Sequence, residues 1–383
     1  MIIRIWVGSH VVLVRPVRRE EHLEFVAAQP SASFLQLPSW AQVKAEWGSE
    51  SLGWFTPGGE LVGVGLVLYR RLPRLRRYLA YLPEGPVLDW DAVAADPAGW
   101  LDPMVAHLRS KGAFGVRMGP PVVTRRWGAD ELKAAIASGG AARLAHVPPT
   151  ATEERGTRVE EALRQRGWRP PAEAGGFTAG QPRYVFQLPL AGRSEEDVLR
   201  GFNQQWRRNI KKADKAGVVV EHGGSEDLPA FHALYVETAR RDGFTPRPLA
   251  YFQRMWRAMT DEDPSRITLL LARHEGTLLA ATTLVRVGGH AWYSYGASST
   301  EGRDVRPSNA VQWAMIRESL AAGCSVYDLR GITDTILETD PHFGLIQFKL
   351  GTGGEAVEYV GEWDLPLNRL LYKGFDLYMS RRG

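Results

Sequence analysis

The pattern of apolar residues in the first half of the chain predicts a β-hairpin followed by a strand, a helix and a strand. The runs "LGWF" and "LVGVGLVLY" flank the turn "TPGGE" and predict the hairpin. The strand "YLAYL", the helix "PAGWLDPMVAHLRSKG" and the strand "AFGVRMG" follow in that order. Helical patterns precede the hairpin, and residues 1–16 are apolar enough to predict one further strand.

The second half repeats this order with a different sequence. "RITLLLAR", the turn "HEGT" and "LLAATTLVRV" predict a hairpin, after the helix "DLPAFHALYVETARRDG". The strand "HAWYSYGAS", the helix "SNAVQWAMIRESLAAG" and the strand "SVYDLRG" complete the copy. Residues 129–187, rich in Ala, Gly and Pro, are expected to complete the first copy and lead into the second. The repeat predicts an α/β protein with mixed sheets in two similar domains, although any α/β chain can produce such an order.

The repeated order resembles the acyltransferase fold of the GNAT type. Enzymes of this fold that use acetyl-CoA need a Gly-rich loop whose backbone N–H groups hold the pyrophosphate. The corresponding loop here is "STEGRDVRPSN", and neither half shows the R/Q-x-x-G-x-G/A spacing. The resemblance therefore predicts acyl transfer, whereas the missing loop argues against CoA as the donor.

A basic segment, "FNQQWRRNIKKADKAGVVVEHG" over residues 202–223, heads the second copy. Phe202, Trp206, Ile210 and Ala213 recur at helical spacing and are expected to share one face. The opposite face would carry five basic residues, namely Arg207, Arg208, Lys211, Lys212 and Lys215. Gly217 is expected to end the helix, and "VVVEH" predicts a strand. A charge run is usually a solvated face, and binding of an anion is the alternative.

Composition narrows the class of protein. A length of 383 residues suggests two or three domains, and a net charge of +4 permits a polyanionic partner without requiring one. The single cysteine, Cys324, excludes a disulfide within the chain and a cysteine-based metal site, and the nine histidines are scattered. No run approaches the roughly 20 apolar residues of a membrane span, and residues 1–16 lack a cleavage site. We expect a cytoplasmic protein without a metal, and contact with the inner membrane surface stays open.

Several motifs, in order from residue 34 to residue 372, resemble the Fem-type (FemABX) aminoacyltransferases, which build peptidoglycan bridges from aminoacyl-tRNA. They are "FLQLPSWAQVKAEWG", "LPEGPVLD", "QPRYVFQLPL", "RRNIKKADKAGVVV", "GFTPRPLAYFQRM", "WYSYGASS", "VYDLRGI" and "GLIQFKLGTGGEAVEYVGEWDLPLNRLLY". Each motif is weak alone, whereas the ordered set is specific and covers most of the chain.

The resemblance implies two GNAT-like domains with a cleft between them. We place the first domain at residues 1–187 and the second at 188–356, with a C-terminal segment, 357–383, that packs back on the first. Some members insert a helical coiled-coil arm after the basic helix, whereas "KAGVVVEHGGSEDLPAF" continues here without one. The chain thus resembles the armless, FemX-like members, which add the first residue of a bridge.

The implied reaction moves an amino acid, glycine or alanine by family habit, from aminoacyl-tRNA to the stem-peptide amine of a peptidoglycan precursor. The amine attacks an ester that is already activated, so orientation and stabilisation of negative charge suffice and no cofactor is required. The partners would be aminoacyl-tRNA and a nucleotide-linked or lipid-linked muropeptide. Oligomeric state is not indicated by the sequence.

The resemblance also implies roles for individual residues. Lys349 in "QFKLG" matches the lysine beside the reacting ester, and Phe348 packs nearby; without the match, Lys349 would be a surface lysine at a strand end. Lys44 and Arg247 match residues that hold the precursor's phosphates, which suits an ammonium and a guanidinium. Tyr251 and Tyr295 match tyrosines that contact the precursor, although Tyr295 lies on a predicted central strand, where a core role is as compatible. All are expectations.

The five basic residues at 207–215 would then hold tRNA phosphates, and "RRLPRLRR" at 70–77 could lie near anionic lipid. Two positions depart from the family. Gly119 stands where an aspartate commonly supplies a proton acceptor, and Glu84 stands where a basic residue is common.

Three alternatives stay open from the sequence. One is a related transferase that acts on a small peptide metabolite, and another is a tRNA- or anion-binding module without turnover. The third is an acetyl-CoA-dependent enzyme, which the missing loop disfavours.

Overall fold

The computed structural model describes residues 12–73, 75–171 and 180–380. Over these ranges the strands are β1 Leu13–Pro16, β2 Gly48–Phe55, β3 Leu61–Arg71, β4 Tyr78–Leu82, β5 Ala113–Met118, β6 Val123–Gly128, β7 Ala151–Thr152, β8 Tyr184–Pro189, β9 Val219–Gly223, β10 Ile267–His274, β11 Thr277–Val287, β12 His290–Ser298, β13 Val326–Gly331, β14 Glu355–Tyr359 and β15 Trp363–Pro366.

The helices over the same ranges alternate with these strands. They are α1 Arg19–Ala27, α2 Pro38–Val43, α3 Trp90–Ala95, α4 Pro97–Ser110, α5 Ala129–Ser138, α6 Glu154–Gln165, α7 Glu195–Gly201, α8 Gln204–Lys215, α9 Leu228–Asp242, α10 Leu249–Glu262, α11 Pro307–Ala321, α12 Phe343–Leu350 and α13 Arg369–Ser380. Among the described helices, none is both long and apolar enough to cross a membrane.

The chain divides into two compact units that exchange segments. Unit 1 comprises residues 1–126, 151–183 and 358–383, and unit 2 comprises residues 127–150 and 184–357. Residues 127–150, which the sequence analysis assigned to the first domain, therefore lie in the second unit. The physical reason is Trp127, fully buried among unit-2 residues such as Phe186 and Leu188, with its indole N–H donating to Val147 O at 2.8 Å.

Unit 1 contains a six-stranded sheet in the order β1-β2-β3-β4-β5-β15. Neighbours pair antiparallel, except β4 and β5, which pair parallel over all of β4. One face carries the core, which includes the buried residues Trp54, Val116 and Trp363. The last strand, β15, closes the sheet beside β5, although more than 240 residues separate them along the chain.

Unit 2 contains seven strands in the order β14-β8-β13-β12-β11-β10-β9. The hairpin β10–β11, the strand β12, the helix α11 and the strand β13 follow the order predicted from the sequence. Here too the last two strands of the repeat, β12 and β13, pair parallel. The repeated order is thus confirmed in both units.

The two parallel pairs differ in their extent. Tyr78 to Leu82 of β4 all have partners in β5. In contrast, β12 pairs with β13 only from His290 to Trp292, and the rest of β12, through Ser298, continues without a β13 partner in the described sheet. The two strands therefore separate beyond Trp292.

The basic helix starts two residues later than the apolar spacing predicts. Asn203 is the N-cap, its side chain accepting from Trp206 N, and α8 runs from Gln204. Phe202 lies before the helix, at the end of α7, and still packs on Trp206 with ring centroids 5.2 Å apart. The chain then passes from α8 through β9 to α9 without an inserted helical arm.

Candidate active site

Lys349 lies in a helix and is buried, so the alternative of a surface lysine at a strand end, which the sequence favours without the family match, is wrong. It is part of α12, between the buried residues Ile346 and Leu350, which face the unit-2 core. Only 3% of Lys349 is exposed. Its Nζ donates to the carbonyl oxygens of Arg330 at 3.2 Å and Gly331 at 2.6 Å, at the end of β13.

A buried carboxylate lies beside this ammonium group. Asp328 on β13 is 1% exposed, and its Oδ2 accepts from Gln187 Nε2 at 3.0 Å. Gln187 is its cross-strand partner in β8. Asp328 Oδ1 accepts from the backbone N–H of Arg330 at 2.5 Å, and His290 Nε2 lies 3.6 Å from Oδ2. Arg330 adopts φ +64°, which is uncommon for a residue with a side chain. The turn at the end of β13 is thus held in a strained form.

The charges of this cluster shift the pKa values of its members. Burial lowers the pKa of Lys349 to about 7, although the Asp328 carboxylate acts in the opposite direction. Burial alone would raise the pKa of Asp328, but the contact with His290 and the charge of Arg330 bring it below its ordinary value. Lys349 can therefore change its charge near neutral pH beside a carboxylate that stays ionised.

A pocket of about 460 Å³ opens along the part of β12 that has separated from β13. Tyr293, Gly296 and Ser298 of β12 line it, together with Phe348, the residue before Lys349. Three guanidinium groups surround it, from Arg241, Arg303 and Arg306. The pocket also reaches the N-terminus of α11, so its electrostatics favour a ligand with negative charge.

Trp206 joins the basic helix to the helix of Lys349. Its ring packs on Phe348, with centroids 4.7 Å apart, and its indole N–H donates to Phe348 O at 2.8 Å. A Cβ added at Gly351 would lie 2.2 Å from the indole, so only glycine permits this approach. On the other side of α8, Arg208, Lys211, Lys212 and Lys215 are exposed, and Arg207 is half-buried.

Arg247, Tyr251 and Tyr295 come together in unit 2. The Arg247 guanidinium lies 5.4 Å from the Tyr251 ring centre, and the hydroxyls of Tyr251 and Tyr295 are 2.9 Å apart. Burial, followed by the neighbouring Tyr295, raises the pKa of Tyr251 well above its ordinary value. Arg247 itself is exposed, so it can meet an anion while the tyrosines hold it from beneath.

Lys44 lies in unit 1, just after α2, with its Nζ 5.7 Å from the Trp40 ring centre. Trp47 follows one turn later and packs on Tyr81, at 6.2 Å between centroids. The Tyr81 hydroxyl donates to Glu362 Oε1 at 2.6 Å. Trp47, Tyr81 and Glu362 thus form one continuous group, although Glu362 is 315 residues from Trp47 along the chain.

Glu362 occupies the space that a side chain at position 119 would take. A Cβ on Gly119 would lie 3.0 Å from Glu362 Cγ. Glu362 is nearly buried, and this burial raises the pKa of its carboxyl above the ordinary value. A carboxylate is therefore present where the sequence analysis found the family aspartate missing.

Sequence reasoning did not single out Asp328 or Glu362. Asp328 lies inside the quoted motif "VYDLRGI" and Glu362 inside "EYVGEWDLPL". A carboxylate among the apolar residues of each motif was therefore the sequence feature that could have indicated them. Of the basic tip at 70–77, Arg71, Arg76 and Arg77 are exposed between β3 and β4, whereas Arg74 lies outside the described residues.

Comparison with known proteins gives a consistent family. The model of the FemAB family matches residues 17–273 and 269–379. The lipid II:glycine glycyltransferase of Staphylococcus haemolyticus (strain JCSC1435) is 24% identical over 425 aligned positions, which cover 93% of each chain. The enzyme of the same name from Staphylococcus aureus (strain MRSA252) is 23% identical, with the same coverage.

Solved structures share the fold. The crystal structure of FemX superposes with a TM-score of 0.79 at 22% identity, covering 95% of this chain and 99% of that one. A tandem GNAT protein from the clavulanic acid biosynthesis pathway gives 0.52 at 13% identity, covering 93% and 98%. The tandem GNAT-like architecture expected from the sequence is thereby confirmed.

Proposed function

The chain belongs to the FemAB family, and we propose that it transfers glycine from glycyl-tRNA to the stem-peptide amine of a lipid-linked peptidoglycan precursor. The observation that carries this proposal is the buried Lys349 at the end of β13, next in sequence to Phe348, which lines a pocket with three arginines. The names of the two staphylococcal relatives favour glycine and lipid II over alanine and a nucleotide-linked acceptor.

The donor is assigned to unit 2. The pocket beside β12 is lined by Arg241, Arg303 and Arg306, whose guanidinium groups suit the phosphates of a tRNA 3′ end. The exposed basic side chains of α8 extend the positive charge, and Trp206 ties α8 to α12. A polyanion that contacts α8 would thus be held in register with Lys349.

The acceptor is assigned to Lys44 and Arg247, whose charges suit its phosphates, with Tyr251 and Tyr295 beside Arg247. Both basic side chains reach solvent, and each has an aromatic ring beneath it. An ammonium and a guanidinium held in this way can bind phosphate oxygens without being buried themselves.

The chemistry follows from these groups. The acceptor amine attacks the ester carbonyl, the C–N bond forms, and the C–O bond to the ribose breaks. Protonated Lys349 donates two of its N–H groups to Arg330 O and Gly331 O. Its third N–H can then donate to the developing oxyanion or to the leaving ribose oxygen. The reaction also needs a base for the proton that the amine loses, and the candidate that unit 1 offers is Glu362, whose pKa is raised by burial.

The test is to incubate the purified protein with charged total tRNA and with lipid-linked or nucleotide-linked acceptor, and to identify the added mass. We expect one glycine on the lipid-linked acceptor, loss of activity after ribonuclease treatment, and no transfer from acetyl-CoA. Acetyl transfer from CoA would overturn the proposal. Transfer to small peptides alone would show that the acceptor is a peptide metabolite and not the cell-wall precursor. Binding of tRNA without any transfer would indicate a binding module.

A further inference from the structure

The C-terminal helix α13 has two faces of opposite character. Tyr372 and Phe375 are buried on the inner face, where they pack with Leu72, Leu79 and Phe114 of unit 1. Leu370 and Leu377 are 83% and 55% exposed. These two leucines lie seven residues apart, two turns of helix, so they share the outer face.

The helix is firmly held from inside. The Tyr372 hydroxyl donates to Asp364, and Asp364 also pairs with Arg117 of β5 at 2.7 Å. Tyr372 and Phe375 both stack on Phe114. Because these contacts fix the inner face, the exposed leucines are displayed by a docked helix and do not belong to a free end.

The same apolar cluster joins α13 to the basic tip between β3 and β4. Leu72, at the start of the tip, packs in the cluster with Phe375, and the Arg70 guanidinium lies 5.5 Å from the Phe375 ring centre. The tip displays a further exposed leucine, Leu75, at 46%. The exposed basic side chains of the two elements are Arg71, Arg76, Arg77, Arg369 and Lys373. We call these residues, with Leu75, Leu370 and Leu377, the α13 surface.

The composition of the α13 surface matches an anionic membrane. Exposed leucines on a helix lying flat can enter the headgroup region, and flanking basic side chains pair with lipid phosphates. The half-buried carboxyl of Asp376 lies on the same helix, and burial raises its pKa above the ordinary value. An RNA would use the basic residues but would leave three exposed leucines in water, so the leucines favour lipid.

We propose that the α13 surface docks unit 1 onto membranes that contain anionic lipid. This inference rests on the proposed function for its purpose, since a lipid-linked acceptor is reached only at a membrane. The contacts that carry it are independent of the transfer reaction.

The experiment is sedimentation of the full chain with vesicles of phosphatidylcholine, with or without phosphatidylglycerol. We expect binding to the mixed vesicles that weakens with salt. Each basic residue near an anionic surface strengthens binding about fivefold, so Arg76→Glu with Arg77→Glu should lower the partition coefficient about 25-fold or more. Leu370→Ser with Leu377→Ser should lower it about tenfold.

Matched controls lie elsewhere on the chain. Arg254→Glu with Arg257→Glu on α10 makes the same charge change, and Leu13→Ser with Val219→Ser removes two other exposed apolar side chains. Both controls should bind vesicles as the wild type does. Equal losses in the controls, or unchanged binding in the α13-surface variants, would overturn the proposal. So would a loss of tRNA affinity in the Arg76/Arg77 variant with vesicle binding intact.

A second readout separates this inference from the proposed function. The α13-surface variants should transfer an amino acid normally to a soluble, detergent-dispersed acceptor and poorly to the same acceptor in vesicles. Normal vesicle binding by a protein that transfers nothing would leave the α13 surface intact and overturn only the transferase proposal.

Discussion

At the scale of single residues, each unit holds an ionisable side chain that the fold keeps away from water. Burial destabilises the charged form of Lys349, and hydrogen bonds to two carbonyl oxygens and the nearby Asp328 carboxylate partly offset this effect. Glu362 is similarly enclosed, with one hydrogen bond from Tyr81. Perturbed groups of this kind cluster at functional sites because catalysis needs pKa values near the working pH. Their titration therefore gives direct tests.

Lys349→Met should cost most at low pH. The protonated amine has a third N–H to donate, and it loses this donor as the pH rises through its pKa of about 7. The ratio of wild-type to Lys349→Met turnover should be about a hundredfold to a thousandfold at pH 6, fall about tenfold for each pH unit above roughly pH 7, and approach one only near about pH 10. The ratio cancels the titration of the acceptor amine, which both proteins share. Lys133→Met, a change at an exposed lysine, should give a flat ratio near one, and a flat ratio for Lys349→Met would remove its charge from the mechanism.

Stability should follow the same group. Because the folded pKa lies below the value of about 10.4 in the unfolded chain, the unfolded state binds more protons between these two pH values. The wild-type free energy of unfolding, relative to that of Lys349→Met, should rise from pH 7 toward pH 10. Denaturant titrations at several pH values measure it, and a difference independent of pH would contradict the lowered pKa.

Asp328→Asn should move this transition to lower pH. The carboxylate stabilises the protonated lysine, so its removal lowers the pKa of Lys349 further. The amide keeps the shape of the side chain and an oxygen for the N–H of Arg330. We expect the contribution of protonated Lys349 to turnover to disappear at a lower pH in Asp328→Asn than in the wild type. A pH profile of turnover identical to that of the wild type would show that Asp328 has only a structural role.

Glu362→Gln should lower turnover about a hundredfold or more, as expected for loss of a general base. In the wild type, turnover should fall as the pH drops through the raised pKa of Glu362, above the ordinary glutamate range. Tyr81→Phe removes the hydrogen bond that stabilises the carboxylate, so that limb should move to higher pH. Turnover of Glu362→Gln within a few-fold of the wild type would exclude it as the proton acceptor.

At the scale of elements, α8 separates two functions onto its two faces. Trp206 and Ala213 are buried toward the core, and the basic residues lie outside, so charge can change without disturbing the packing. The Asn209 amide donates to Asn309 of α11 at 3.1 Å, which fixes α8 against a second helix. An anchored helix that displays a line of cations is suited to hold a polyanion in one orientation.

Arg208→Glu with Lys212→Glu should weaken binding of charged tRNA and flatten its dependence on salt. Each phosphate contact contributes close to one unit of the logarithmic salt slope, so the slope should fall by about two. Anisotropy titrations over a range of salt concentrations measure both quantities. Arg254→Glu with Arg257→Glu on α10 is the control. Equal tRNA affinity in the two double variants would show that the basic face of α8 is only solvated and does not bind tRNA.

At the scale of the whole molecule, chain order and unit membership differ. Trp127 comes early in the chain but is buried in the core of unit 2, and Trp363 comes late but is buried in the core of unit 1. The C-terminal segment completes the first sheet, because β15 pairs with β5 from Trp363 opposite Met118.

Exchange of segments predicts a crossed pattern of destabilisation. Trp363→Ala should lower the free energy of unfolding by about 3–5 kcal/mol and increase hydrogen exchange in β4 and β5 of unit 1. Trp127→Ala should have an effect of the same size, with increased hydrogen exchange in β8 and β13 of unit 2. Hydrogen exchange followed by mass spectrometry reports each unit separately. Loosening of the unit nearest in sequence, instead of the unit named here, would contradict the division.

The sequence by itself determined the order of the elements, the repeat and the family. The periods of apolar residues specify which face of each segment is buried, and the ordered motifs indicated the family although the relatives named above are only 23–24% identical. Local spacing also separated the basic face of α8 from its core face. It wrongly placed Phe202 inside the helix, because Phe202 keeps the helical spacing to Trp206 although the helix begins only after the N-cap Asn203.

Only the tertiary structure decided what surrounds each reactive group. The carbonyl partners of Lys349 come from 18 and 19 residues away, and Glu362 reaches the space beside Gly119 from 243 positions along the chain. Periodicity says that a residue faces inward, but not which distant segment it meets there. Burial, which moves the pKa of Lys349 and of Glu362, is the sum of those distant contacts, so no local pattern could have given it.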